Sequence, residues 1–182
     1  MAKDVSNGDR GSAGMRITEM AARDADGTVR VVVEIPKGSR NKYEYDEDLG
    51  VIALDRTLYS AVRFPTDYGF VPGTRGTDGD PLDAMVLMEE ASFPGCLLRV
   101  RLIGVLTITH SAGPEQKLLG VPVNEPRFAE YNDISDVPAH LLKEIEHFFE
   151  VYKDLEGNTI HSRGWQGASQ AQAVLRDAEQ SA

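Results

Sequence analysis

The sequence has a single cysteine, Cys96, among its 182 residues. One thiol cannot form an internal disulfide or supply a thiolate zinc cage, so we expect the protein to work in a reducing cytoplasm. Cys96 stands in an apolar stretch without a basic neighbour, which predicts a small buried side chain and not a nucleophile.

Basic residues and long apolar runs are also scarce. The 19 Lys and Arg face 29 Asp and Glu, so the formal net charge is −10. Nucleic acids are bound through basic surfaces that neutralise phosphates, and we therefore expect no nucleic-acid partner.

The longest apolar run, residues 97–108, is interrupted by Arg99 and Arg101. This run and the lack of an apolar secretory core argue against membrane insertion and export.

The remaining composition is typical of one globular domain, because 41% of the residues are hydrophobic. Residues 1–14 are polar and aperiodic, which predicts a disordered tail, with a single domain over residues 15–182. Apolar and polar residues alternate from Val29 to Ile35, as expected of a strand that buries one face. Further strands are predicted at 42–45, 51–54, 82–88, 97–108 and 118–123.

Helical periodicity is confined to the C-terminal third of the chain. Apolar residues recur at steps of three or four over residues 141–152, and more weakly over residues 171–178. Strands followed by helices predict an α+β fold, in which helices pack on the outside of a closed β-barrel.

Three carboxylates, those of Asp78, Asp80 and Asp83, fall within six residues at the start of a predicted strand. Carboxylates this close repel one another unless a cation compensates, and their oxygens suit Mg²⁺ or Mn²⁺. A polar turn is the alternative, because Asp, Gly and Pro all favour turns. An EF-hand loop is excluded, since Asp83 would occupy the position that requires Gly.

A second group of residues, dispersed along the sequence, has the chemistry to hold a phosphate. Arg offers a fork of donors, Lys a point charge and Tyr a hydroxyl. The alternatives are solvated surface charges and, at position 152, a core tyrosine whose hydroxyl reaches water. The group comprises Lys42, Glu44, Arg56, Tyr68, Tyr152 and Lys153.

With these motifs in order between Val29 and Trp165, the chain resembles the family I soluble inorganic pyrophosphatases. The matching segments are VVVEIP with Glu34, NKYEY with Lys42 and Glu44, LDR with Arg56, FPTDYGF with Tyr68, DGDPLD with Asp78, Asp80 and Asp83, and HFFEVYK with Tyr152 and Lys153.

The resemblance implies a five-stranded OB-like barrel with helices outside it and the site at its polar mouth. It implies a homohexamer that uses Mg²⁺ to hydrolyse pyrophosphate to two orthophosphates, by direct attack of metal-activated water. Asp80 would be the catalytic base. The implied metal-binding residues are Glu34, Asp78, Asp83, His110 and Glu115. The implied substrate-binding residues are Lys42, Glu44, Arg56, Tyr68, Lys117, Tyr152 and Lys153.

Three positions depart from the family pattern. His110 and Glu115 stand where aspartates are usual, and Phe64 stands where a tyrosine is common. A neutral imidazole at position 110 suits Mn²⁺ or Zn²⁺ better than Mg²⁺, unless His110 is an ordinary loop residue. The departures leave a second hypothesis open: a weakened relative that binds metal and phosphate without efficient turnover. An OB-type nucleic-acid module is a third, which the acidic composition disfavours.

Overall fold

The computed structural model describes residues 16–182, and the tail predicted over residues 1–14 lies outside this range. Within it the chain forms eight β-strands and two α-helices. The strands are β1 (Val29–Ile35), β2 (Asn41–Asp46), β3 (Val51–Thr57), β4 (Asp67–Val71), β5 (Leu82–Val86), β6 (Leu97–His110), β7 (Gly113–Pro122) and β8 (His161–Gly167). The helices are α1 (Ala139–Val151) and α2 (Ala168–Gln180).

Six strands form the main sheet in the order β1-β4-β5-β7-β6-β8. The β5–β7 pair is parallel and the other neighbours are antiparallel. Strand β1 also pairs with β6, through a register that runs from Val29 opposite Val100 to Val32 opposite Leu97. The expected combination of a β-sheet with C-terminal helices is therefore confirmed.

Strands β2 and β3 form a separate two-stranded hairpin. Its antiparallel register places Lys42 opposite Arg56 and Glu44 opposite Ala53. The backbone N–H of Tyr45 donates a hydrogen bond to Glu34 Oε1 at 2.7 Å, which ties the hairpin to β1. The hairpin thus stands beside the main sheet with its polar residues close to the side chain of Glu34.

The two helices each cover one hydrophobic cluster. Ile145, Phe148 and Phe149 of α1 pack into the first cluster, and Val174 and Leu175 of α2 pack into the second. The apolar residues recur every three or four positions, so one face of each helix is buried. Among residues 16–182, neither helix has the length and apolarity of a membrane span.

Two strands were missed by the periodicity, β4 and β8. Strand β4 lies in a segment rich in Pro, Asp and Gly, which are turn residues, yet all its residues are buried. Gly69 allows β4 to approach β1 closely, since a Cβ there would lie 1.9 Å from the carbonyl oxygen of Val32.

Cys96, predicted to be buried, is only partly buried. Burial is the main reason that the pKa of its thiol is raised, and the negative charge of Asp67 adds to the shift.

Leu175 on α2 is fully buried in the second cluster. Leu175→Ala should lower the free energy of unfolding by about 2–5 kcal/mol, because it removes buried methyl groups and leaves a cavity. Urea unfolding followed by circular dichroism measures this loss. Leu155→Ala is the matched control, since Leu155 is 69% exposed and its truncation should cost less than about 0.5 kcal/mol. Equal losses would contradict the packing of α2.

Candidate active site

A cavity of about 490 Å³ opens between the β2–β3 hairpin, the loop before β5, the β6–β7 turn and the residues that follow α1. It gathers side chains that lie far apart in the sequence. Of the residues predicted for the site, those that line it are Glu34, Lys42, Glu44, Tyr68, Asp78, Asp80, Asp83, His110, Glu115, Lys117, Tyr152 and Lys153.

The acidic segment before β5 forms a tight turn. The Asp80 N–H donates to Asp78 Oδ1 at 3.1 Å, and the Gly76 N–H donates to the Asp80 carbonyl at 2.7 Å. Gly79 has a φ of 96°, in the left-handed region that glycine adopts without strain. The turn hypothesis and the site hypothesis are thus compatible, because the turn directs its carboxylates at the cavity.

A buried ammonium group lies beneath these acids. Lys117 is 2% exposed, and its Nζ lies 2.6 Å from Asp83 Oδ2 and also pairs with Glu115. It donates to the hydroxyl of Tyr68 at 2.7 Å, and that hydroxyl donates to Asp83 Oδ2 at 2.5 Å. Lys117 therefore compensates part of the negative charge on the floor of the cavity.

Burial and charge oppose each other in this cluster, and charge decides two of the three shifts. Burial disfavours the ionised Asp83, but Lys117 and the hydrogen bonds outweigh it and lower the pKa of that carboxyl. Burial likewise opposes the Lys117 charge, but Asp83 and Glu115 raise the pKa of the ammonium. For Glu115 burial prevails over Lys117, so its pKa is raised.

The carboxylate of Asp80 has no such compensation. Partial burial, and then repulsion from Asp78, Asp83 and two further acids, raises its pKa. One of these acids, Glu47, also lines the cavity and was missed in the sequence. Among residues 16–182, no group donates a hydrogen bond to the Asp80 carboxylate, which leaves its oxygens available to a ligand.

Cationic side chains face the cavity from other elements. Lys42 lies on the hairpin, and Lys153 follows α1. Burial lowers the pKa of Lys153, and repulsion from Lys42 and Lys117 contributes to the shift. An anion placed between these groups would relieve that repulsion.

Tyr152 lies where the hydrophobic core meets the cavity. Its side chain belongs to the first hydrophobic cluster and also lines the cavity. Burial is the main reason that the pKa of its hydroxyl is raised, so it would meet a ligand as a hydrogen-bond donor.

Arg56, expected in the substrate-binding set, is not part of the cavity lining. Its guanidinium donates from Nε and Nη2 to the two carboxylate oxygens of Glu156, at 2.9 and 2.8 Å. Burial opposes the Arg56 charge, but Glu156 and Asp55 outweigh it and raise its pKa. Sequence reasoning missed Glu156, whose partner lies 100 positions away.

Phe64 also lies outside the cavity lining. Its ring is buried in the first hydrophobic cluster, with ring centroids 4.8 Å from Phe148 and 5.5 Å from Tyr68. The ring supports Tyr68 from beneath.

His110 and Glu115 face each other across the β6–β7 turn, with His110 Nε2 3.3 Å from Glu115 Oε2. Within the described part of the chain, no three His, Cys, Asp or Glu side chains are arranged to hold a metal ion by themselves. Asp83 and Glu115 are engaged with Lys117 instead. Mg²⁺ is commonly held by only one or two carboxylates, with waters and substrate phosphates completing its shell.

Comparison with known proteins assigns the family. The family model described as inorganic pyrophosphatase matches residues 31–182. The chain belongs to the inorganic pyrophosphatase family. It is 53% identical over 146 residues to a protein named inorganic pyrophosphatase from Streptomyces coelicolor, which covers 80% of this chain and 90% of that protein. Identity to the protein of that name from a Nostoc strain is 44%, over 88% of this chain and 95% of that protein.

A solved structure supports the same assignment. The inorganic pyrophosphatase from Thermus thermophilus superimposes with a TM-score of 0.88 at 40% identity, covering 91% of this chain and 98% of that one. The family inferred from the motifs is thus confirmed over most of the described chain.

Glu34 offers a test of the site's electrostatics. Burial is the main reason that its pKa is raised from 4.5 to about 7. Because the folded state holds this proton more tightly than the unfolded state, ionised Glu34 destabilises the fold. This cost is absent below pH 4.5 and complete above about pH 7.

Glu34→Gln keeps an acceptor for the Tyr45 N–H but removes the charge. In metal-free buffer the variant should exceed the wild type in unfolding free energy by up to about 3 kcal/mol above pH 7, with no difference near pH 4.5. Chemical denaturation at several pH values measures the difference. Glu90→Gln, at an exposed position, serves as the control. If Glu34→Gln raised the unfolding free energy equally at every pH, the interpretation would be refuted.

Proposed function

We propose that this protein is an inorganic diphosphatase that hydrolyses pyrophosphate to two orthophosphates. One observation carries the proposal: a single cavity opposes lysines to a cluster of carboxylates, in a chain of the inorganic pyrophosphatase family. The lysines match the phosphates of the substrate, and the carboxylates match the divalent cations that accompany pyrophosphate.

The donor set fits a hard divalent cation. The cavity carboxylates supply oxygen ligands, and the repulsion that raises the pKa of Asp80 is the kind that a bound cation relieves. We propose that Mg²⁺ binds between these carboxylates and the substrate phosphates, where each ion would take one or two ligands from Asp78, Asp83 and Glu115 and Glu34 would support its waters. His110 would also accept Mn²⁺ or Zn²⁺. When bound, the metal lowers the pKa of a water molecule and neutralises phosphate charge.

The side chains divide the remaining work. Lys42 and Lys153 bind phosphate oxygens, and Tyr152 orients them through its hydroxyl. Tyr68, expected among the substrate-binding residues, donates its hydroxyl proton to Asp83 and orients that carboxylate instead.

Asp80 would accept a proton from the attacking water as the water oxygen bonds to one phosphorus and the bond from that phosphorus to the bridging oxygen breaks. Because water attacks the phosphorus directly, no covalent intermediate with the protein forms. Lys117 acts from beneath, where it keeps Asp83 ionised, and Glu44 restrains Lys42 by their ion pair.

Further features of the family are proposed for this chain. Residues 15–182 form a single domain, in which β1, β4, β5, β7 and β6 close into an OB-like barrel; the β1–β6 pairing supports this closure. The protein works in the cytoplasm as a homohexamer, without a nucleic-acid or membrane partner. The weakened-relative hypothesis receives no support from the proteins compared, which are named inorganic pyrophosphatases.

Orthophosphate release from pyrophosphate and Mg²⁺ tests the activity directly. Asp80→Asn should lower kcat by at least about 100-fold, because it removes the proton acceptor while the fold is retained. Asp26→Asn, an exposed substitution before β1 and outside the cavity lining, should leave the rate unchanged. If the wild type and Asp80→Asn were equally inactive, the hydrolase proposal would be wrong.

The metal preference tests the role of His110. His110→Asp replaces a borderline nitrogen ligand with a hard oxygen, so the ratio of the Mg²⁺-supported to the Mn²⁺-supported rate should rise by about three- to tenfold. Parallel assays with each metal at saturation give the ratio. His140→Asp is the control, because His140 lies exposed on α1 outside the cavity. An unchanged ratio would show that His110 does not contact the ion.

A further inference from the structure

The bidentate pair between Arg56 and Glu156 is the starting observation. Two parallel N–H···O bonds at 2.9 and 2.8 Å fix the guanidinium in its plane as well as in distance. The Glu156 side chain is 12% exposed and that of Arg56 is 23% exposed, so water screens this pair less than a surface pair.

Ion pairs continue from Arg56 into the cavity. Arg56 Nη1 lies 2.5 Å from Asp55 Oδ2, and the same oxygen lies 3.3 Å from Lys42 Nζ. Lys42 and Arg56 are also register partners on the hairpin. A series of ion pairs therefore connects Glu156, through Arg56 and Asp55, to the ammonium of Lys42.

Glu156 lies outside the cavity lining, on a different segment of the chain from Lys42. It lies in the short 3₁₀ turn Asp154–Glu156, directly after Lys153. Lys42 lies on the β2–β3 hairpin, which stands outside the main sheet. The Arg56–Glu156 pair thus joins the wall that carries Lys42 to the wall that carries Lys153.

We propose that Glu156 is a positioning residue for pyrophosphate binding, which holds Lys42 opposite Lys153 through Arg56 and Asp55. The inference rests on the proposed function of the cavity. Cations that are already held in place bind a polyanion more tightly, because less ordering free energy is lost on binding. Glu156 is not part of the cavity lining and acts through the other residues.

Binding of methylenediphosphonate, a pyrophosphate analogue that is not hydrolysed, tests the role. Glu156→Gln keeps the size of the side chain and removes its charge. With Mg²⁺ present, calorimetry should show a dissociation constant about tenfold higher than that of the wild type, and KM for pyrophosphate should rise alike while kcat stays within about twofold. Unchanged or tighter binding would overturn the proposal, and tighter binding would identify Glu156 as a competitor for Arg56.

A control removes another partly buried Arg–Glu ion pair, made through a single N–H···O bond, elsewhere in the fold. Glu179 of α2 pairs with Arg23 at 2.9 Å, outside the cavity lining. Glu179→Gln should leave analogue affinity and KM unchanged. An equal loss of affinity in both variants would attribute the effect to general loosening of the fold, and would overturn the positioning role.

A double-mutant cycle with Lys42 identifies the route. If Glu156 acts through Lys42, Glu156→Gln should not weaken analogue binding further in a Lys42→Gln background. Additive losses would contradict this route. Should Glu156→Gln fail to fold, Arg56→Lys keeps the charge without the bidentate fork and should raise the dissociation constant by about threefold; no change would count against the proposal.

Analogue binding and orthophosphate release, measured separately, distinguish a failure of this inference from a failure of the proposed function. A wild type that binds the analogue but releases no orthophosphate would refute the function and leave the positioning test valid. A wild type that turns over pyrophosphate, with affinity insensitive to Glu156→Gln, would refute the positioning role alone. A wild type that does neither would overturn both.

Discussion

The buried ammonium of Lys117 is the interaction on which the site depends. Asp83 and Glu115 lie together in a partly buried setting, where Lys117 lowers the pKa of Asp83 against the effect of burial, while burial still raises the pKa of Glu115. Lys117 Nζ also lies 5.2 and 5.3 Å from the ring centroids of Tyr68 and Phe149. Because those rings belong to the hydrophobic core, the charge that organises the acids is held by the same packing that stabilises the fold.

Charges of like sign give the empty cavity a free-energy cost that a bound ligand would relieve. On the acidic side, ionised Asp80 is disfavoured by its neighbours, and on the basic side Lys153 is disfavoured by burial and by Lys42. Glu34 bears a similar cost, since it is ionised only above about pH 7. These charges destabilise the empty protein. When a polyanion and its cations bind, the lysines attract the polyanion and the carboxylates attract the cations. Function at this site is thus obtained at the expense of stability.

Sequence patterns predicted the parts of the fold and site that depend on local order. Alternation identified β1, and crowding singled out Asp78, Asp80 and Asp83, because both signals lie within a few residues. Strand β4 was not predicted, because the Pro, Asp and Gly residues of its segment are typical of a turn. In the structure, neighbouring strands bury it on both sides. The partner of Arg56 escaped for a related reason: Glu156 meets it only through the folded topology, and no spacing in the sequence encodes that contact.

The cavity walls differ in what holds them, and this difference follows from the hairpin's composition. Leu49, Val51 and Leu54 of the hairpin are exposed, and its apolar contacts come from Tyr43 against the first cluster and Tyr45 against Phe70. Polar contacts add to these: the Tyr45–Glu34 hydrogen bond and the Arg56–Glu156 pair. The acidic floor, by contrast, rests on the closely packed main sheet. A rigid floor keeps its carboxylates at fixed separations. Ion pairs in the hairpin wall can instead rearrange when a charged ligand binds in the cavity.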